Sequence, residues 1–228
     1  MDKVLILGSK PFAKLPKYKF SKIYSSNGSA DKILTYNNYS NNFKHTCIIG
    51  VDHFLGNKDV NKKVSETKID ELIIRGTKQI SLEYFKFKPQ VKYLNMFNQL
   101  NIQSKIFDNF LYEIIVAELK YEKKFIMKIK YFLRCLKNFK LMGISTGFFS
   151  ILYAYLENPN SQLVISGIGM SEDETKYDGK STGFLKRARV DQYMIKKAKN
   201  SFKNKIITTD EDLSKNNFLK IWDGDYFN

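Results

Sequence analysis

Short apolar runs recur along the chain, most of them closed by a glycine or a small polar residue. They are Val4 to Gly8, Lys22 to Ser26 before Asn27-Gly28, Thr46 to Val51 before Asp52-His53, Glu71 to Gly76, Gln162 to Gly167, and Lys205 to Thr208. None alternates cleanly between apolar and polar, so each predicts a strand buried on both faces of a sheet. Longer patterns lie between them. Residues 109–140, rich in Leu, Ile, Phe and Lys, predict helix. Ser145-Thr146-Gly147 caps a second helix whose apolar face holds Phe148, Leu152, Tyr155 and Leu156, and Asn158-Pro159 ends it. A basic helix is predicted from about Lys186 to Phe202, after a polar loop from Ser171 to Thr182. The segment FLKIWDGDYFN is expected to dock on the surface. Strands alternating with helices predict an α/β fold with a mostly parallel sheet flanked by helices. No repeat, linker or boundary divides residues 1–228, which are read as one domain.

Composition narrows the class. The chain has 228 residues, 43% hydrophobic and 27% charged, which is enough apolar material for one sizeable core and excludes disorder. The two cysteines, Cys47 and Cys135, fall on different predicted elements without CxxC spacing. A disulfide framework or zinc site is not expected, and a reducing cytoplasm is the natural setting. The first apolar run is too short for a signal peptide and Gly8 breaks it. No apolar run reaches the roughly 18 residues that suggest a membrane span. The net charge of +15 attracts polyanions, namely nucleic acid, an anionic membrane surface or phosphorylated substrates. Part of that charge reads equally well as codon bias in a chain rich in Lys, Asn and Ile.

Four stretches carry candidate chemistry. Gly8-Ser9-Lys10-Pro11 follows the first strand, where backbone N–H groups can approach a ligand, and it reads as well as a plain turn. Asn27-Gly28 follows the second strand and offers an amide to a nucleotide or sugar, or simply turns the chain. Ser145-Thr146-Gly147 brings hydroxyls and free N–H groups to a helix start, which suits a phosphate as well as a simple cap. Ser166-Gly167-Ile168-Gly169 lets a base or ribose lie close to the backbone, or makes a tight turn. All four fall on one predicted edge of the sheet, which makes a Rossmann-like nucleotide site the stronger reading.

The segment STGFFSILYAYLENPNSQLVISGIGM resembles the core of the bacterial sialyltransferases of glycosyltransferase family 42 and related CMP-sugar transferases, and VLILGSKPF and YSSNG are similar to its first strand and its Asn position. The resemblance covers the two ends of the nucleotide half and not residues 60–140. It implies a Rossmann-like, GT-A-like variant fold and transfer of an acidic sugar (sialic acid, a related nonulosonate or Kdo) from CMP to a surface-glycan acceptor. It implies that Gly8, Ser9, Lys10, Asn27, Gly28, Ser145, Thr146, Gly147, Ser166, Gly167 and Ile168 line the CMP site. It also implies metal independence, with no cofactor besides the CMP-sugar donor, and no acidic DxD triplet precedes residue 200. The family's general-base histidine falls in a stretch that here reads Arg187-Ala188-Arg189-Val190-Asp191, with Arg189 at the histidine position. Arginine stays protonated and cannot take a proton near neutral pH, so Arg187 and Arg189 are read as charge partners of phosphate or carboxylate. Asp52 and His53 are the replacement candidates for the base; an ordinary loop histidine is the alternative for His53. His45, at the opposite edge, is read as structural.

The run of Lys120, Lys123, Lys124, Lys128, Lys130, Arg134, Lys137 and Lys140 among apolar residues fits either a core-packed helix with a solvated basic face or contact with the inner membrane face. The latter would bring a glycan or glycolipid acceptor within reach of a cytoplasmic enzyme. Nucleic-acid binding is the competing class and is not favoured, because no RNA-recognition, helix-turn-helix or zinc module is present. A catalytically inactive nucleotide-sugar binder is the third.

Overall fold

The structure, a computed structural model, describes residues 1–10, 12–40, 42–121, 144–168, 182–202, 204–217 and 219–227, with positions 126, 127, 129 and 133. Strand β1 (Lys3–Leu7) leads to β2 (Lys22–Ser26), a 3₁₀ segment (Asn27–Lys32), α1 (Ile33–Asn37) and β3 (Lys44–Gly50). Next come α2 (Val51–Gly56), α3 (Lys58–Glu66), β4 (Glu71–Arg75) and β5 (Gln90–Leu94). Helices α4 (Met96–Ser104), α5 (Phe110–Tyr121) and α6 (Thr146–Glu157) precede β6 (Gln162–Ser166). The fold continues through α7 (Thr182–Lys197), α8 (Lys199–Phe202), β7 (Ile206–Thr208), α9 (Glu211–Asn217) and β8 (Lys220–Ile221).

The strands form one 8-stranded sheet in the order β5-β4-β3-β2-β1-β6-β7-β8. Every neighbouring pair is parallel, which makes the fold α/β and Rossmann-like. Both faces are covered, the reason the strands read as apolar runs. On one face Val4, Ile6, Ile48, Ile73, Leu163 and Ile165 pack under α5, α6 and α7. On the other, Cys47, Ile49, Leu72 and Ile74 meet α2 and α3, while Leu5, Leu7, Ile23 and Val164 meet α1 and Trp222. Phe148, Phe149, Ile151 and Leu152 of α6 are fully buried. Each contributes about 2–3 kcal/mol by leaving water, and together they fix this helix on the sheet.

Two strands escape the hydrophobic pattern. β5 (QVKYL) alternates between exposed and half-buried positions up to a buried Leu94, and β8 has only two residues, both exposed. β3 starts earlier than the pattern predicts, so His45 lies within it. The predicted helix at 109–140 corresponds to α5 as far as Tyr121. Most of its remaining basic stretch lies outside the described residues, as do the predicted loop 171–181 and Gly169. Residues 220–227 do more than dock on the surface. Trp222 is buried, Lys17 N–H donates to Asp225 O at 2.8 Å and Phe227 N–H to Leu15 O at 2.9 Å, which clamps the β1–β2 connection. No helix among the described residues is long and apolar enough to cross a membrane.

Candidate functional site

The carboxyl ends of β1 and β6 meet in a sealed junction. Gly8 N–H donates to Ser166 O at 2.8 Å, and Lys10 N–H to Gly167 O at 2.8 Å. A Cβ on Gly8 would run into the Gly167 carbonyl, and Gly167 itself has φ +67°, a conformation that favours glycine. The Lys32 ammonium donates to Gly8 O at 2.8 Å and Lys10 O at 2.7 Å. Ser166 Oγ donates to Lys14 O at 2.8 Å, and Lys10 Nζ pairs with Asp210 at 2.7 Å. Gly8, Lys10, Ser166 and Gly167 are therefore engaged with each other and their neighbours, and both glycines serve the close approach of two loops. Ser9 is half-buried, and Ile168 is buried in the core against Gly147.

Two strands away the edge is organised around Gly50. Asn27, at φ +51°, turns out of β2 and its Oδ1 accepts the Gly50 N–H at 3.1 Å, while Gly28 is buried in the 3₁₀ segment. A Cβ on Gly50 would stand 3.4 Å from Thr146 Oγ1 and 3.9 Å from His53 Cβ, so Gly50 leaves the space between these two side chains unfilled. Ser145 caps α6, its Oγ accepting the Phe148 N–H at 3.0 Å. Its own N–H donates to Asp191 Oδ1 of α7 at 3.0 Å, and Asp191 is 1% exposed.

Arg75, the last residue of β4, reaches this helix start. Its guanidinium donates to Ile144 O at 3.3 Å and to Thr146 Oγ1 at 3.4 Å, and lies 4.4 Å from the centre of the Phe149 ring. Gln99 of α4 holds it from behind, accepting Arg75 Nε–H at 3.0 Å while donating to Leu94 O at 2.9 Å. A fixed guanidinium beside the positive end of a helix favours an anionic group. Gly50, Arg75 and Asp191 are the residues sequence reasoning passed over. The one signal was a charged residue closing an apolar strand, in ELIIRG.

The remaining candidates lie on several elements. His53 and Asp52 open α2 and are exposed. Asp52 pairs with Lys78 at 2.8 Å. Arg189 lies half-buried on α7, and Arg187 precedes it on that helix with its side chain outside the described residues. His45, at the amino edge of the sheet, is buried. Its Nδ1–H donates to Lys68 O at 2.9 Å, which makes Nε2 the acceptor of the Ser25 hydroxyl at 2.8 Å. Burial pushes its pKa down to about 4, against the opposing pull of the Lys68 carbonyl and the Asp70 charge. Burial likewise pushes the Cys47 thiol up to about 12, which makes it inert. Among the described residues no group of three or more His, Cys, Asp or Glu side chains is gathered to hold a metal ion.

No protein-family model and no curated protein matches the chain. Among solved structures, it aligns with the sialyltransferase CST-II in complex with a trisaccharide acceptor and CMP, at 13% identity and a TM-score of 0.39, over 96% of this chain and 86% of that one.

Proposed function

We propose that the chain transfers an acidic sugar (sialic acid, a related nonulosonate or Kdo) from a CMP-activated donor to a glycan or glycolipid acceptor. The observation that carries this reading is the cluster at Gly50, where Arg75, the Ser145-Thr146 helix start, Asn27 and His53 converge. The CMP class itself rests on the sequence motifs. In this reading the α6 N-terminus and Arg75 hold the donor phosphate, and Asn27 faces the nucleotide. The acceptor hydroxyl attacks the anomeric carbon as the bond to the phosphate oxygen breaks, and CMP leaves with both electrons. His53 takes the hydroxyl proton, with Asp52, the ion-pair partner of Lys78, beside it in sequence. Arg187 and Arg189 of α7 neutralise the sugar carboxylate. The charge that develops on the leaving phosphate meets fixed donors in place of a metal ion. In this reading the enzyme acts in the cytoplasm.

A thermal-shift titration with CMP, UDP, GDP and ADP side by side tests the proposal. CMP alone should raise the melting temperature, and Arg75→Ala should remove most of that shift. No shift with any nucleotide at millimolar concentration would sink the reading. Salt-sensitive retention of DNA or RNA in its place would fit the +15 net charge and make the chain a polyanion binder.

A further inference from the structure

A second recess lies on the same carboxyl edge, beyond the sealed β1–β6 junction. It encloses about 260 Å³ between the β1–β2 connection and the start of α9. Phe12 is part of its lining, together with Asp210, Glu211 and Asp212. Phe12 is fully exposed, and its ring is stacked on no other ring among the described residues. Its backbone sits at φ +54°, a costly conformation for a bulky residue.

The polar groups of the lining are prepared rather than loose. Asp210 Oδ2 holds Lys10 at 2.7 Å, and its Oδ1 accepts the N–H groups of Asp212 and Leu213 at 3.1 and 3.2 Å. Lys14 and Glu211, both in the lining, form an exposed pair at 3.3 Å. Two ammonium groups accompany three carboxylates, so the recess gives no advantage to a phosphate, unlike the cluster at Arg75. An exposed aromatic ring in one lining with paired carboxylates and ammoniums suits a neutral ring that carries hydroxyls. The ring's C–H face lies on Phe12 and adjacent hydroxyls bridge the charged groups. The volume is sufficient for about one such ring and too small for a drug-sized ligand.

We infer that this recess is a subsite for a neutral sugar ring of the acceptor, stacked on Phe12 and hydrogen-bonded by Asp212 and the Lys14–Glu211 pair. As an acceptor subsite it rests on the proposed transferase reading; as a sugar site it stands on its own lining. A donor nucleotide's ribose offers the same diol, so the test carries both sources.

Saturation-transfer NMR on the whole protein would use lactose, maltose and N-acetylglucosamine in one arm and cytidine in the other. At least one neutral sugar should receive saturation. Phe12→Ala and Asp212→Asn should each cut it about fivefold with the melting temperature unchanged, since both side chains are exposed. Silence from all three sugars would overturn the inference. So would an undiminished signal in both variants, or saturation of cytidine alone that depends on Phe12. Sugar binding that survives while CMP gives no thermal shift would remove the transferase reading and keep the subsite. A CMP shift with silent sugars would do the reverse.

Discussion

Between β1 and β6 the carboxyl edge of the sheet is closed by backbone hydrogen bonds, whereas at Gly50 side chains gather and room for a methyl group remains. In doubly wound sheets the crevice where strand order reverses is the usual ligand position. Here that reversal lies between β1 and β6, and Gly8 and Gly167 fill it with each other's backbone. The groups able to hold an anion stand farther along, at β3, β4 and the start of α6. A glycine after a strand therefore has two uses, and only its surroundings tell them apart. Gly8 lacks a side chain so that two loops can touch; Gly50 lacks one so that a space remains. The two histidines repeat the contrast, with His45 locked between Ser25 and Lys68 and His53 facing solvent beside Gly50.

The largest expected effect belongs to the closed junction. Gly8→Ala would drive a methyl group into the Gly167 carbonyl and should cost about 4 kcal/mol in urea unfolding. A loss below about 1 kcal/mol would mean that the junction is loose and that ligand could enter there.

His45 comes next. Unfolded histidine binds a proton below a pH of about 6.5, but the native ring resists until about 4. The unfolded state binds more protons in that window, so this contribution to stability is lost as pH falls from about 6.5 to about 4. It amounts to about 3 kcal/mol. Denaturation of His45→Asn across the same range should show a correspondingly shallower fall. An equal slope in both proteins would place the acid sensitivity elsewhere.

The smallest effect on stability is expected at Gly50, whose φ of −85° any residue can adopt. Gly50→Ala should change stability by less than about 1 kcal/mol, yet remove most of the thermal shift with CMP by narrowing the space between Thr146 and His53. If CMP binds the variant unchanged, the space beside Gly50 is not where the nucleotide goes.

The sheet was legible because strands buried on both faces must be apolar whatever their order, and β1, β2, β3, β4 and β6 all read that way. β5 was not, because exposed and half-buried residues interleave along it. The helix start at Ser145 was legible from its cap. Arg75 was not, since its meaning comes from Thr146, Phe149 and Gln99, which meet it only in the folded chain. Similarly, nothing local in the β1 turn shows that Gly8 and Lys10 would bond the end of β6.

The position of β1 at the centre of the sheet also sets a timetable. On the β6 side, its partners at Gln162 to Ser166 are made long after it. At about 5–20 residues per second, a growing chain carries this apolar strand with one side unpaired for roughly ten to thirty seconds. The clamp from Asp225 and Phe227 arrives later still. Chains stalled on the ribosome before β6 would present an open strand edge to one another. The protein's exposure to aggregation and its need for chaperones are thus concentrated in synthesis rather than in the finished fold.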